Sequence, residues 1–376
     1  MNIGITCYPT VGGSGAVATE LGKQLSRRGH QIHFVSHRMP FRLDDLNGNV
    51  QFHEVDVSTY SLFEYPPHDL ALAAKMAEVA RDHKLDLLHV HYAIPFAISG
   101  FIAQRMLGAP PPKLITTLHG TDITLVGQDR SFIDITRFGI EQSDGVTAVS
   151  DFLKRMTIDE FEVKNHIEVI HNFIDLSVYG RNRVGQHLER TSYARPEQKI
   201  VLHVSNFRPV KRVVDVVRIF ERVSREVPSV LLMVGEGPER ASAQTLAKRL
   251  GLQDRVRFLG RQDRIEELTS LADVFLLPSE LESFGLSALE AMASEVPVVG
   301  SDAGGMPEVV QHTETGYLLP VGDIEGMAAR TIEILKDEER ARCMGQAARR
   351  RATSLFNADR IVTHYERFYE KVLAQA

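Results

Sequence analysis

MNIGITCYPTVGGSGAVATELGKQLSRRGH, residues 1–30, is the stretch from which the fold can be read. A short apolar run, Ile3 to Thr6, passes through a glycine-rich loop into a helix with Val17, Ala18, Leu21 and Leu25 on one face. The stretch therefore reads as strand, loop, helix. Within it, Gly13-Ser14-Gly15-Ala16-Val17-Ala18 fits G-x-G-x-x-A. Glycines let backbone N–H groups approach an anion closely, and a helix N-terminus adds unpaired donors and a partial positive charge. The dinucleotide form of the motif also wants an acid about 20 residues on, at the end of the second strand, to hold a ribose. Here the second strand, Ile32-His33-Phe34-Val35, runs out into Ser36-His37-Arg38. The pattern supports a phosphate site and not an NAD site, with a purely structural tight turn as the alternative.

At 376 residues the chain is too long for one ordinary core and suits two domains, each able to bury a full sheet. An apolar content of 43%, a charged content of 24% and a net charge of −6 describe an ordinary globular protein. The basic excess that nucleic acids or polybasic membrane contacts demand is missing, so neither partner is expected. No run approaches 18 uninterrupted apolar residues, and the first residues form a core strand without a signal peptide's basic start, so a cytoplasmic location is expected. The two cysteines, Cys7 and Cys343, give neither metal-ligand spacing nor a disulfide framework.

Strand-like runs recur at 2–6, 32–36, 50–55, 86–91, 114–118, 145–149 and 167–171, with helix-period stretches such as 69–82, 95–107 and 131–142 between them. This alternation predicts a parallel sheet covered on both faces. The polar, irregular stretch 172–198 reads as a junction, after which strand runs start again at 200–204, 230–234, 256–259, 274–277 and 296–299. The expected domains are 1–175 and 176–357, with an amphipathic C-terminal helix (358–376) packing back on the first. Ligands of open α/β sheets gather beyond the carboxyl ends of the strands, so two such domains are expected to face one another across a cleft holding the site.

Ser205-Asn206-Phe207-Arg208-Pro209-Val210-Lys211-Arg212 follows the first strand of the second domain. Arg208 as a bidentate fork and Lys211 as a point charge suit a diphosphate, and a solvated basic loop is the alternative. Further on, the run from Asp273 to Met292 reads as a buried strand, a polar loop and a helix starting near Phe284 or Gly285. Glu282 precedes that helix and Glu290 is placed roughly two turns inside it, so each carboxylate can accept bonds from a different hydroxyl, on a sugar and on a ribose. An N-terminal capping charge and a surface residue are the alternatives.

Glu282-x7-Glu290, with Ser283-Phe284-Gly285-Leu286 and Leu289-Glu290-Ala291-Met292, resembles the E-x7-E signature of the retaining glycosyltransferases of family four, which have the GT-B fold of two Rossmann-like doubly wound domains. Pro297-Val298-Val299-Gly300 and Gly304-Gly305-Met306-Pro307-Glu308 continue the pattern, and Ser294-Glu295 departs from it at a turn where the family usually carries glycine. In the first half, Gly4-Ile5-Thr6-Cys7-Tyr8-Pro9, Gly12-Gly13-Ser14-Gly15, Pro40-Phe41-Arg42, His89-Val90-His91-Tyr92-Ala93, Thr116 to Thr124 and Asn172-Phe173-Ile174-Asp175 narrow the resemblance. They are similar to the family members that open bacillithiol biosynthesis by transferring GlcNAc from UDP-GlcNAc to the hydroxyl of L-malate.

The resemblance implies retention of the anomeric configuration and a UDP-sugar as co-substrate. Transfer needs charge stabilisation on the departing diphosphate, for which Arg208, Lys211, the helix start at Phe284, Gly285 and Leu286, and the loop at Gly12 and Gly13 are expected. No D-x-D occurs in the sequence, so protein cations are expected to replace a metal, and no metal cofactor is predicted. A same-face route in which the leaving phosphate takes the acceptor proton needs no dedicated base. Glu282 is expected on the sugar hydroxyls and Glu290 on the ribose, with Gly260, Arg261 and Ile265 around the uracil. His119 is expected near the sugar, orienting it or touching the leaving group. Malate's two carboxylates call for fixed donors or cations. The candidates are Ser14, Tyr92, Thr117, Thr121 and Arg137, then Arg42 and Asn172; a surface charge is an equal alternative for Arg137. A family member with a lipid or glycan acceptor and a UDP-GlcNAc epimerase are the competing functions. The sequence leaves the oligomeric state open and admits a homo-oligomer.

Overall fold

The computed structural model of the chain describes residues 1–9, 12–43, 48–57, 65–126, 129–180 and 189–375. The chain divides into two compact units, Met1–Asn172 together with Asp359–Ala376, and Phe173–Ala358.

Unit 1 is built on seven parallel strands, β1 (Asn2–Thr6), β2 (Gln31–Ser36), β3 (Val50–Glu54), β4 (Leu87–His91), β5 (Lys113–Leu118), β6 (Gly145–Ala148) and β7 (Ile167–Val169). Helices α1 (Gly13–Arg27), α2 (His68–His83), α3 (Ile98–Met106), α4 (Ile133–Glu141) and α5 (Asp151–Phe161) make the crossovers. The sheet order is β3-β2-β1-β4-β5-β6-β7. The order reverses between β1 and β4, and a doubly wound sheet opens its ligand crevice beyond the strand ends at that point. The loops after β1, β4 and β5 flank it. Strands β4 and β5 are buried along almost their whole length, the pattern of a sheet covered on both faces.

Unit 2 holds β8 (Lys199–Val204), β9 (Ser229–Val234), β10 (Val256–Gly260), β11 (Val274–Leu277), β12 (Val298–Ser301) and β13 (Gly316–Leu319) in the order β10-β9-β8-β11-β12-β13, again all parallel. Its helices are α6 (Val213–Glu226), α7 (Arg240–Arg249), α8 (Ile265–Leu271), α9 (Leu286–Ala293), α10 (Met306–Val309), α11 (Ile324–Lys336) and α12 (Glu338–Leu355). The reversal lies between β8 and β11, which sets the loops 205–212 and 278–285 beside the crevice. The last helix, α13 (Ala358–Leu373), buries Ile361, Val362, Tyr365, Phe368, Tyr369 and Val372 at helical spacing and belongs to unit 1. It lies so close to the start of β6 that a Cβ on Gly145 would stand 2.8 Å from Val372. Arg28 Nη1 secures the helix from outside by donating to Thr363 at 2.8 Å and to Glu366 at 2.6 Å.

Both sheets are the ones expected from the alternation, with one strand added. The added strand is β13, at one edge of the second sheet. Gly316 opens it because a side chain there would meet the Val298 carbonyl at 2.2 Å.

Candidate active site

In unit 2, β8 ends at Val204 and the chain turns through Ser205 into a single helical turn, Pro209–Lys211. Gly235 and Gly237 (φ +126° and +159°) let the next loop lie against this one; a Cβ there would be 1.8 Å and 2.1 Å from the carbonyls of Ser205 and Asn206. Arg208 is exposed, and among the described residues it has no ion-pair partner. Lys211 Nζ donates to Glu282 Oε1 at 2.6 Å, with the two side chains 19% and 11% exposed. The same oxygen accepts from Ser279 Oγ at 2.7 Å. His203, buried beneath, bonds to the Leu276 carbonyl and to Ser205 Oγ, each at 2.8 Å. Burial pushes its ring down to about 4, so it stays neutral under the two cations.

The loop that carries Glu282 is shaped by backbone contact. The Gly305 amide donates to the Glu282 carbonyl at 2.7 Å. Side chains on Gly304 (φ +64°) and Gly305 would meet the carbonyls of Glu282 and Ser283 at 2.1 Å and 2.4 Å. Gly285 precedes α9 with φ +98°, a left-handed conformation that glycine adopts without penalty. Phe284 is buried edge-to-face against Phe356, so its side chain belongs to the core and only its backbone serves the helix start. Helix α9 begins at Leu286, which places Glu290 in its second turn, one turn deep where two were expected. Tyr179 donates to Glu290 Oε1 at 2.6 Å. Gly260 ends β10 with φ +67°, Arg261 beside it is exposed, and Ile265 is buried at the first position of α8.

In unit 1, Gly12 caps α1 in an extended conformation, and neither a capping side chain nor an acid occupies the first turn. Ser14 Oγ, just inside the helix, accepts from Tyr92 OH at 2.8 Å. Tyr92 follows β4 with φ +105°, a region that costs a non-glycine residue about 1–3 kcal/mol and persists only where the surroundings enforce it. Burial and the nearby Asp122 push its phenol up to about 12, while bonds with Ser14 and Thr121 oppose the shift. Asp122 is fully buried and accepts from the Ala93 and Gly120 amides, both at 2.9 Å, tying the loops after β4 and β5 together. Its burial outweighs those bonds and raises the carboxyl to about 6.

Three histidines line the ends of β4 and β5. His91 Nδ1 and His119 Nε2 are 2.8 Å apart, while His91 Nε2 is buried with no partner among the described residues. Burial lowers His119 to about 3 and takes His91 well below the usual range, so both are neutral. Were His119 the donor, His91 would keep a buried N–H with no acceptor, the rarer kind of orphan. The network therefore assigns the donated proton to His91 Nδ1 and leaves His119 with its own on Nδ1. His119 then presents a donor and no free lone pair.

The other expected acceptor ligands differ in what they have to offer. The Thr117 hydroxyl points into the interior. It is fully buried and held 2.7 Å from both His89 Nε2 and Thr147 Oγ1, and His89 Nδ1 is bonded to Tyr369 of α13 at 2.8 Å. Its oxygen is thus engaged by partners on β4 and β6. Thr121 is half-buried on the Tyr92 hydroxyl. Arg137 on α4 is also half-buried, and its Nε has no partner among the described residues. Arg42 (φ +66°) lies over the Phe41 ring at 5.3 Å. Asn172 is buried, and its Oδ1 has no partner among the described residues.

Asp122, Ser279 and Tyr179 were not anticipated. Asp122 and Ser279 stand within motifs already read, but a burial that turns a polar side chain into a brace leaves no mark on composition. Tyr179 lies in the junction, far in sequence from the carboxylate it holds.

The sequence is 52% identical, over 99% of this chain and 97% of the relative, to N-acetyl-alpha-D-glucosaminyl L-malate synthase of Bacillus anthracis. The model of the Glycosyltransferase Family 4 matches residues 11–178, and that of the Glycosyl transferases group 1 matches residues 186–351. The chain belongs to the family 4, group 1 glycosyltransferases. This glycosyltransferase is also 27% identical, over 76% of both chains, to a GDP-mannose-dependent alpha-(1-6)-phosphatidylinositol monomannoside mannosyltransferase of Mycobacterium tuberculosis. Its fold matches sucrose-phosphate synthase from Thermosynechococcus elongatus (TM-score 0.81, 23% identity, all of both chains). It also matches Anabaena Alr3699/HepE in complex with UDP and glucose (TM-score 0.82, 21% identity, 98% and 99% of the chains). Both units are thus of the GT-B class. No helix among the described residues is long and apolar enough to cross a membrane.

Proposed function

We propose that this glycosyltransferase transfers GlcNAc from UDP-GlcNAc to the hydroxyl of L-malate, giving GlcNAc-malate and UDP with retention at the anomeric carbon. The observation that carries the reading is the 52% identity along essentially the full length of a relative that bears that activity's name. The lipid or glycan acceptor and the epimerase have no comparable support.

The donor chemistry is assigned chiefly to unit 2. As the glycosidic bond lengthens, negative charge grows on the diphosphate and positive charge on the anomeric carbon. Arg208 and Lys211 are the cations for the first, with the amides at Phe284, Gly285 and Leu286 adding the partial charge of a helix start. Glu282 holds the sugar hydroxyls and is itself fixed by Lys211 and Ser279. Glu290, braced by Tyr179, receives the ribose, and Gly260, Arg261 and Ile265 receive the base. We also assign Gly12 and Gly13 to the donor phosphate. The acceptor is assigned to Ser14, Tyr92, Thr121, Arg137, Arg42 and Asn172. His119, neutral and donating, orients the sugar, and the acceptor proton passes to the leaving phosphate. The diphosphate charge is met by side chains, with no metal.

Mixing the protein with UDP-GlcNAc, with and without L-malate, tests this. UDP should appear only with malate, accompanied by an α-linked GlcNAc-malate, and turnover should persist in EDTA. UDP released equally without malate would refute the acceptor, and an EDTA block reversed by added Mg²⁺ would refute metal-free transfer.

A further inference from the structure

Three histidines of unit 1 take no part in the transfer site. His33 on β2, His53 on β3 and His83, the last residue of α2, bring one ring nitrogen each to within 4.8 Å of the others. His33 Nδ1 and His53 Nε2 are 3.0 Å apart, and the His83 ring centroid lies 4.3 Å from that of His33 and 5.0 Å from that of His53. Each residue comes from a different element, so folding alone assembles the group. In the β2–β3 ladder His53 stands opposite Val35, two residues along from His33, which puts both imidazoles on one face of the sheet. The third arrives where α2 stops. Lys84 takes φ +50° to end the helix, and Asn2 Nδ2 donates to the His83 and Lys84 carbonyls at 3.1 Å and 3.3 Å, fixing that end against β1.

A hydrogen bond between neutral rings explains only part of this. It accounts for the His33–His53 contact and leaves the His83 ring packed on both without a bond to either. A metal ion would engage all three lone pairs at once. Nitrogen ligands about 2.0–2.1 Å from a tetrahedral ion stand about 3.3 Å apart. The first pair is already close to that separation, and His53 and His83 are half-exposed rings that can turn to close the rest. An all-imidazole set selects a zinc-class ion over Mg²⁺ or Ca²⁺, which take oxygen ligands. Glu78, the carboxylate nearby on α2, is paired with Lys75 at 2.7 Å and leaves the fourth position to water.

We propose that His33, His53 and His83 bind one transition-metal ion of the zinc class and that the ion clamps β2, β3 and α2 together. The clamp acts on the stability of unit 1 and not on transfer. Helix α2 ends four residues before β4 begins, at the amino-terminal side of the sheet, whereas the transfer loops follow the carboxyl ends.

The test uses the full chain, stripped with a chelator and dialysed. Zn²⁺ is titrated calorimetrically, and Co²⁺, whose visible absorption reports tetrahedral coordination, is titrated in parallel. One ion per chain should bind and raise Tm, since a ligand that binds only the folded state stabilises it. His53→Gln and His83→Gln, at half-exposed positions whose folding circular dichroism can verify, should each weaken binding by about 100-fold or more. His166→Gln, at an exposed histidine elsewhere in the unit, should bind as the parent does. Absence of binding, or equal affinity in the parent and both cluster variants, would overturn the site. Loss of transferase turnover on stripping, restored by Zn²⁺ in the parent alone, would overturn its separation from catalysis.

Discussion

The two units reach similar sheets and build their site loops in opposite ways. Unit 2 presents charge on top of glycine: Arg208, Lys211 and Glu282 stand on loops that touch backbone to backbone at Gly235, Gly237, Gly304 and Gly305. Unit 1 presents neutral groups on a buried polar layer, in which His119 rests on His91, and Asp122 gathers the amides of Ala93 and Gly120. In the function proposed above, the cationic loop of unit 2 would meet the fixed charge of a diphosphate, while the internally bonded neutral groups of unit 1, with Arg137 and Arg42, would orient the acceptor. The difference teaches where to look for damage: unit 2 should fail in chemistry, unit 1 in acceptor affinity and in acid.

The largest effect should follow Lys211→Ala. It removes a cation from the leaving group and leaves Glu282 bonded by Ser279 alone, so kcat should fall by about 10²–10³ with circular dichroism unchanged. Turnover within a factor of two of the parent would end the assignment of chemistry to unit 2.

Acid comes next, and it should divide the units. Among the described residues, His33, His37, His53, His89, His91 and His119 of unit 1 are all held below the usual imidazole range, chiefly by burial, against His203 alone in unit 2. An unfolded chain takes up these protons as pH falls below about 6.5, while the folded unit declines them until far lower, about 3 for His89 and His119. Their stabilisation is therefore full above about 6.5 and drains away toward about 3, because over that window the unfolded state binds more protons. Hydrogen exchange at pH 5 against pH 7 should show amides of β4 and β5 losing protection while those of β8 and β9 hold theirs. Parallel loss in both units would erase the contrast.

Smaller and more selective is Arg137→Ala. Removing a half-buried cation from an acceptor carboxylate should raise the malate KM by about 10- to 100-fold and leave that for UDP-GlcNAc within two-fold. Equal effects on both would take Arg137 out of the acceptor set. His91→Phe should then lower kcat by about ten-fold, because His119 loses the partner that fixes its tautomer; an unchanged kcat would free His119 from His91.

The same contrast explains what the sequence made legible. Strands placed at 2–6, 274–277 and 145–149 lie within a residue of those observed, because buried parallel strands are written as continuous apolar runs. Lys211 and Glu282, each read as a charge just beyond a strand end, are brought together by the fold at 2.6 Å. The contact of Thr117 with Thr147 was not legible, because alternation along β5 does not say what each face meets. Tyr179 on Glu290 and Tyr369 on His89 join residues 111 and 280 positions apart, and no local pattern carries such pairs.

The smallest effect probes a place where the sequence departs from the family pattern, Ser294-Glu295. Glu295 stands just after α9 with φ +60°, where a left-handed turn closes the helix and the Val296 amide returns to the Ala291 carbonyl at 3.0 Å. A side chain in that conformation costs about 1–2 kcal/mol, so Glu295→Gly removes strain at a helix end that glycine serves best. Two terms oppose the gain: glycine loosens the unfolded chain by about 0.4–1 kcal/mol, and the 3.8 Å contact with Arg349 is lost. That contact is partly exposed and contributes little. The balance should be a rise in Tm of about 1–2 °C with kcat untouched, because the turn lies at the far end of α9 from Glu282. A fall in Tm would mean that Arg349, which also reaches the Ala293 and Tyr179 carbonyls, depends on Glu295 for its position. The departure from glycine would then be a compensated exchange of backbone ease for a side-chain anchor.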